Sequence, residues 1–173
     1  MNKGVLAARG DWILFLGADD RLAGSQTLNA ALPWLDPAAA GVVAGEAAFD
    51  DGRIYKFSPD ANPIARNFVH HQSAFYRRSL FVENGKFDAS LAVMADYEFN
   101  LRLLKNRVPF KPIPLRIATC AGGGISDRGA WRGYREEITV RHRHYPALRC
   151  FAWDAASVIR YLRKKIVRSV ATH

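Results

Sequence analysis

Five consecutive apolar residues, Trp12 to Leu16, run into Gly17-Ala18-Asp19-Asp20. So short and uniform an apolar run predicts a strand in the middle of a sheet, covered on both faces. Two carboxylates then stand at its carboxyl end, where ligands collect in open α/β sheets. The rest of the chain switches between helical and extended spacing. Residues 1–8 predict a short helix stopped at Arg9-Gly10, and 25–35 a helix capped by Ser25 and ended before Pro37. Gly41 to Gly45 predicts a buried strand, and with 53–57 beyond the turn Asp50-Asp51-Gly52 it makes a hairpin. Residues 68–76 read as a strand carrying His70-His71-Gln72. Neighbours in a strand face opposite sides, so the two histidines would not share an ion. Ser79 is the expected cap of a helix over 80–83, with Gly85 at its left-handed stop.

Met94, Tyr97, Leu101 and Leu104 recur at three- and four-residue spacing and predict the buried face of a helix over 95–105. Glu98 and Arg102 read as its solvated i,i+4 pair. Residues 112–117 predict a strand, placed at an edge by Pro114. A polar helix over 131–144 follows. The last helix, 151–167, gathers Ala155, Val158, Ile159, Leu162 and Ile166 on one face, with Arg163, Lys164 and Arg168 away from it. With no repeat and no linker, the pattern is one α/β unit.

Composition changes this picture mainly through charge. At 173 residues, 49% of them hydrophobic, the chain can bury a core, and no apolar run approaches a membrane span or a signal peptide. Cys120 and Cys150 show neither metal spacing nor a disulfide framework and read as free thiols in a reducing cytosol. The net charge of +9 is concentrated at the end: residues 128–173 hold eleven Lys and Arg against three acids. Such a segment favours phosphate-bearing partners, whether anionic lipid, nucleic acid or diphosphates.

Several groups could carry chemistry. Asp19-Asp20 suits a hard divalent ion, Mg²⁺ or Mn²⁺, or else a turn that caps the next segment. Asp96, in a first helical turn, is either a dipole-stabilised carboxylate or a general base kept ionised by that same helix end. One of His70 and His71 faces a cleft, or both are structural. The glycines at 122–124 bring amides to phosphate or only bend the chain, and Arg128 and Arg132 pair with a diphosphate or stay solvated. The basic last helix either lies on an anionic membrane or packs with a wet basic back.

These pieces in order resemble the family 2 glycosyltransferases of the GT-A fold that build bacterial polysaccharides. The resemblance rests on Met1-Asn2-Lys3-Gly4, Ala8 to Asp11 and Phe15 to Asp20. It continues with His71-Gln72, Phe75, Arg77-Arg78, Phe81, Gly85, Phe87-Asp88, Asp96-Tyr97-Glu98, Leu101-Arg102-Leu103 and Gly123-Gly124-Ile125-Ser126. It implies an α/β fold, the C-terminal portion of a GT-A mixed sheet flanked by helices. Residues 1–127 would form the metal and acceptor half, and 128–173 a basic helical extension. By the same resemblance Asp19 and Asp20 hold the donor diphosphate through Mg²⁺ or Mn²⁺, with Asp20 the metal ligand. Asp96 is the catalytic base of an inverting transfer, and His71, Gln72, Glu98 and Arg128 line the substrate. The implied partners are a nucleoside-diphosphate sugar, a glycan or lipid-linked acceptor and an anionic membrane surface, with no nucleic acid. The implied place is the cytoplasm, at the inner face of the plasma membrane. The family pattern begins some seventy to a hundred residues earlier, so the nucleotide-binding half is expected to be missing, and with it independent activity. The rival readings are a non-catalytic remnant that only binds a partner, and a basic peripheral membrane protein.

Overall fold

In chain order the elements are helix α1 (Asn2–Ala7), strands β1 (Trp12–Leu14) and β2 (Arg21–Leu22), helix α2 (Thr27–Ala31), and strands β3 (Val42–Phe49) and β4 (Ile54–Lys56). Strand β5 (Ala74–Arg77), helices α3 (Leu80–Glu83) and α4 (Ala95–Lys105), strand β6 (Phe110–Cys120) and helices α5 (Trp131–His144) and α6 (Ala147–Ala171) complete them. This computed structural model describes residues 1–121 and 131–171. One mixed sheet runs β1-β5-β3-β6-β2, with β4 added to β3, and only the β3–β6 pairing is parallel. The expected α/β class holds.

The centre of the sheet belongs to β3, not to the apolar run at Trp12. Val42, Val43 and Ala44 are buried, with β5 on one side and β6 on the other. Among the described residues strand β1 pairs β5 alone, Ile13 opposite Tyr76, and so lies at an edge of this sheet. Its apolar character has another cause. Ile13 and Phe15 join the larger core, while Trp12 and Leu14 pack against the smaller one on the opposite face. An edge strand sandwiched between two layers reads like a central one.

Strand β6 departs from its expectation in a related way. It lies inside the sheet, yet β2 covers it only at Ala118 and Thr119. Around Pro114 its partner is β3 alone, and the register slips there: Ala44 faces Pro112, but Glu46 already faces Arg116. A proline is tolerated at such a bulge because no ladder bond is asked of it. Gly45 sits at the slip. A Cβ there would lie 2.3 Å from the Leu115 carbonyl oxygen and 2.8 Å from an Ile117 side-chain carbon. Gly45→Ala is therefore expected to cost about 1–3 kcal/mol, read as a lower urea midpoint at unchanged slope.

Helix α4 forms where the spacing predicts. Phe99 stacks on Phe81 with centroids 4.7 Å apart, and Tyr97, Leu101 and Leu103 are buried beside it. Two expectations fail on this helix, and α5, which covers a second face, accounts for the one at Glu98. Leu104 is exposed, and Glu98, only 7% exposed, is no solvated partner: Arg102 Nε (2.9 Å) and His144 Nε2 (3.3 Å) both reach it. From α5, Glu136 accepts the backbone N–H groups of Ala92, Val93 and Met94 at 2.8–3.2 Å, capping the start of α4 from outside. Arg132 is that carboxylate's ion-pair partner at 2.9 Å. At the other end of the chain, Asn2 exchanges two hydrogen bonds with the Phe87 backbone, 2.8 and 3.1 Å, docking α1.

The other local differences are small. Helix α2 begins one residue later than expected, with Gln26 in place of Ser25 at its cap position and Thr27 Oγ1 accepting the Gly24 N–H. Its last turn is a 3₁₀ helix around Pro33. The hairpin and the left-handed Gly85 are as expected. Helix α6 is longer than expected, and its apolar stripe does not pack on the body: Ile159, Leu162 and Ile166 are exposed.

Candidate functional site

Past β1 the chain turns through Gly17 to Asp20. The Asp20 N–H donates to the Gly17 carbonyl (3.2 Å), and the Gly17 N–H donates back to Asp20 Oδ2 (2.7 Å). A Cβ on Gly17 would stand 2.6 Å from that oxygen, so this tight closure needs glycine. Both readings of the acidic pair survive, since Asp20 closes a turn and also presents a carboxylate. Pairing of Arg21 with Thr119 brings Asp20 beside the end of β6. There burial, and then the charge of Asp20, push the buried Cys120 thiol up to about 12, so it stays protonated and donates to the carboxylate. Gln72 Nε2 donates to Asp20 Oδ2 at 2.7 Å. Asp19 is exposed.

The histidines are not on a strand. Residues His71–Ser73 form a 3₁₀ turn before β5, closed by the Ser73 N–H on the His70 carbonyl (3.0 Å). The alternation expected for a strand is lost, and the two imidazoles stack, 5.6 Å apart and 7° from parallel. His70 also meets the rings of Phe49 and Tyr55, at 5.2 and 5.1 Å, and so anchors the β3–β4 hairpin. His71 turns to the chemistry: its Nδ1 donates to Asp96 Oδ2 at 2.9 Å.

Asp96 is buried at the start of α4 and is well supplied with donors. Asn67 Nδ2 reaches Oδ2 (2.9 Å), and the Tyr97 N–H reaches Oδ1 (2.8 Å). Asn67 is in turn held by Asn100 Nδ2 (3.3 Å), and Asn100 accepts from the buried Tyr76 hydroxyl (3.0 Å). Burial alone would raise the Asp96 carboxyl and lower the His71 imidazole. Their hydrogen bond and mutual charge outweigh it, so Asp96 lies below the usual carboxylate range and His71 above the usual imidazole value.

Four of the residues singled out from the sequence are thus brought together as two hydrogen-bonded pairs, Asp20–Gln72 and His71–Asp96, joined through the backbone at the adjacent residues His71 and Gln72. Glu98 is in neither; its carboxylate points to Arg102 and His144, and Arg102 spans on to the carbonyls of Asn84 and Lys86. Arg128 and the Gly123-Gly124-Ile125-Ser126 segment lie outside the described residues. Asn67 and Cys120 carried no sequence signal, since long-range pairing alone brings them to the carboxylates.

Among the described residues no group of three His, Cys, Asp or Glu side chains could hold a metal ion by itself. The donors present nevertheless suit Mg²⁺ or Mn²⁺, which take one or two carboxylates and complete their shell with substrate phosphates. Beside Asp20, Gln72 Oε1 is buried with no hydrogen-bond partner among the described residues, a further hard oxygen at this corner.

No protein-family model matches the chain. A PGL/p-HBAD biosynthesis glycosyltransferase of Mycobacterium bovis (strain BCG / Pasteur 1173P2) is 37% identical over 112 residues, covering 61% of this chain and 43% of that protein. An uncharacterized glycosyltransferase of Mycobacterium tuberculosis (strain CDC 1551 / Oshkosh) is 26% identical over 160 residues, covering 84% and 59%. The chain thus spans roughly half the length of the curated relatives it matches. Among solved structures, S. aureus TarS superposes with a TM-score of 0.58 at 18% identity, over 80% of this chain and 26% of that one. The mannosyltransferase PcManGT from Pyrobaculum calidifontis, in complex with GDP-Man and Mn²⁺, superposes with 0.54 at 17% identity, over 92% and 47%. The chain shares the fold of these solved structures, and its sequence relatives are named glycosyltransferases.

Proposed function

We propose that this chain carries the metal and acceptor portion of an inverting glycosyltransferase site. A sugar would pass from a nucleoside-diphosphate donor to a hydroxyl of a glycan or lipid-linked acceptor. The observation that carries this reading is that two adjacent residues reach the two carboxylates, Gln72 donating to Asp20 and His71 to the buried Asp96. One carboxylate suits a metal-bound diphosphate and the other suits a base. Asp20, with Asp19 and Gln72 Oε1 beside it, would hold Mg²⁺ or Mn²⁺, which supplies neutralisation of the charge building on the departing diphosphate. At the other carboxylate the acceptor oxygen bonds to the anomeric carbon as the carbon–phosphate-oxygen bond breaks, and the hydroxyl proton passes to the Asp96–His71 pair. His71 Nε2 has no protein partner among the described residues and is the accessible atom of that pair, whose charge rests on Asp96. Residues 1–127 supply this site, and 128–173 extend it as basic helices.

The tests use a form extended to the full length of the curated relatives, and begin with binding. Calorimetric titration of UDP and GDP, each with Mn²⁺, should show metal-dependent affinity for at least one of them. Asp20→Asn keeps the turn-closing oxygen but halves the charge of the acidic pair, and should weaken that binding on the order of 10–100-fold. Binding that ignores both the metal and the substitution would remove the diphosphate role from Asp20.

The pH dependence follows from the pair. A proton is best accepted when Asp96 is ionised and His71 neutral. His71 gains its proton as pH falls through a value raised above the ordinary 6.5. Transfer, measured as kcat/KM, should therefore decline on acidification through that raised value, and the decline should move to lower pH in His71→Asn. A profile flat from pH 6 to 9 would exclude His71 from the proton path.

A further inference from the structure

Helix α6 docks on the body through one face, where Cys150 and Ser157 are buried and Asp154 meets Arg141 and His142. The opposite face is apolar and bare. Leu148 is 92% exposed, Phe151 77%, Ile159 50%, Leu162 49% and Ile166 63%. Their spacing of three, four and eight residues aligns them along one side of 25 helical residues, on the order of 37 Å of helix. Exposed Arg149 and Arg163 border the stripe on one side and exposed Lys165 on the other. The only acid on the helix, Asp154, is already matched by Arg141 and His142. No helix among the described residues is long and apolar enough to cross a membrane, so the stripe cannot belong to a span.

We propose that α6 is an interfacial helix that lays its apolar stripe into the surface of an anionic bilayer, with the flanking cations at the headgroups. This binding is independent of the proposed transfer reaction, because no residue of the Asp20–Gln72 and His71–Asp96 pairs lies on α6. Two observations select lipid over other occupants. A bulky apolar stripe with cations along both borders matches an anionic interface, where alkyl stems and charged heads separate by depth. A second copy of the helix would instead set cationic borders against cationic borders, with no exposed acid on α6 to answer them. A nucleic acid would meet the cations but leave the apolar stripe without a complement.

The test is flotation of the purified protein with vesicles of phosphatidylglycerol and phosphatidylcholine, against vesicles of phosphatidylcholine alone. Binding should be stronger to the anionic vesicles, on the order of a hundredfold for three facing cations, and should weaken as salt is raised. The double substitution Phe151→Ser and Leu162→Ser should remove most of it. Both positions are exposed, so circular dichroism and the urea midpoint should stay near wild type. Arg163→Glu with Lys165→Glu should abolish the preference for anionic lipid while leaving the stripe intact. No vesicle binding by the wild type, or binding indifferent to the Phe151 and Leu162 substitutions, overturns the proposal. So does a stable dimer in sedimentation that the same pair of substitutions dissolves, which would make the stripe a self-association face.

Discussion

Asp96→Asn is expected to reduce glycosyl transfer by about 10²–10⁴-fold, the usual share of a positioned base, while binding of the metal–nucleotide donor stays intact. The carboxylate is buried and accepts from His71 Nδ1, Asn67 Nδ2 and the Tyr97 N–H. An amide at this position keeps one acceptor oxygen but gives up the negative charge that makes the pair a base. Its NH₂ group would also face a donor, whichever way it turned, since all the partners of Asp96 donate. The substitution thus lowers stability as well as activity, and the two effects separate by pH. Asp96 is depressed in the fold, so its stabilisation is present above the ordinary carboxylate pKa and is lost on acidification. His71 is raised, so its share is present below the ordinary imidazole pKa and is lost as pH rises through the folded value. The stability gap between wild type and variant should therefore be widest between about pH 4 and 6.5. The loss of transfer should persist above that window, where neutral His71 still needs a charged partner. Full transfer activity in Asp96→Asn at pH 8, with donor binding unchanged, would remove Asp96 from the chemistry altogether.

What could be read from the sequence was what local spacing decides. Helix α4, the hairpin and the stop at Gly85 follow from three- and four-residue periodicity and turn chemistry, which act within one element. Asp20, His71, Gln72 and Asp96 could be named as residues, because acids at strand ends and helix starts are local signals. Their joining depends on β5 pairing with β1 and β3, which no local pattern encodes. The strand reading of 68–76 held for 74–76, in β5, and failed before it because the Ser73–His70 closure outweighed the apolar neighbours; that closure is what puts Gln72 on Asp20 and His71 on Asp96. The place of β1 was misread because burial on both faces does not distinguish the middle of a sheet from an edge between two layers. Helix α5 was legible as a helix but not as a core element, because the side it buries is mostly charged: Glu136, Glu137 and Arg141 beside Val140.

That charged core supplies the other large effect, an expected loss of about 3–5 kcal/mol in Arg141→Met. Arg141 is fully buried, and all three of its nitrogens donate. Nε reaches the Ile64 carbonyl (2.7 Å), and Nη1 reaches Asp154. Nη2 is shared among the Ala65 carbonyl (3.2 Å), Glu137 (3.0 Å) and Ser157 (3.1 Å). One side chain thereby ties α5 to α6 and to the loop at residues 64–65, which precedes Asn67 and the site. Methionine fills similar space but donates nothing. Arg160 keeps Glu137 paired, at 2.7 and 2.9 Å, and His142 keeps Asp154, at 2.7 Å, so neither acid is left bare. The half-buried carbonyls of Ile64 and Ala65 have no such substitute, and each one left unanswered away from water costs about 1–3 kcal/mol. For a chain of this length, a loss of that size should lower the melting temperature by roughly 6–20 °C. Arg141→Lys separates charge from geometry: it keeps the cation but offers a single ammonium where a planar fork serves five acceptors. It should recover less than half of the loss. A melting temperature unchanged in both variants would mean that the buried guanidinium holds nothing together, and that α6 docks by its apolar contacts alone.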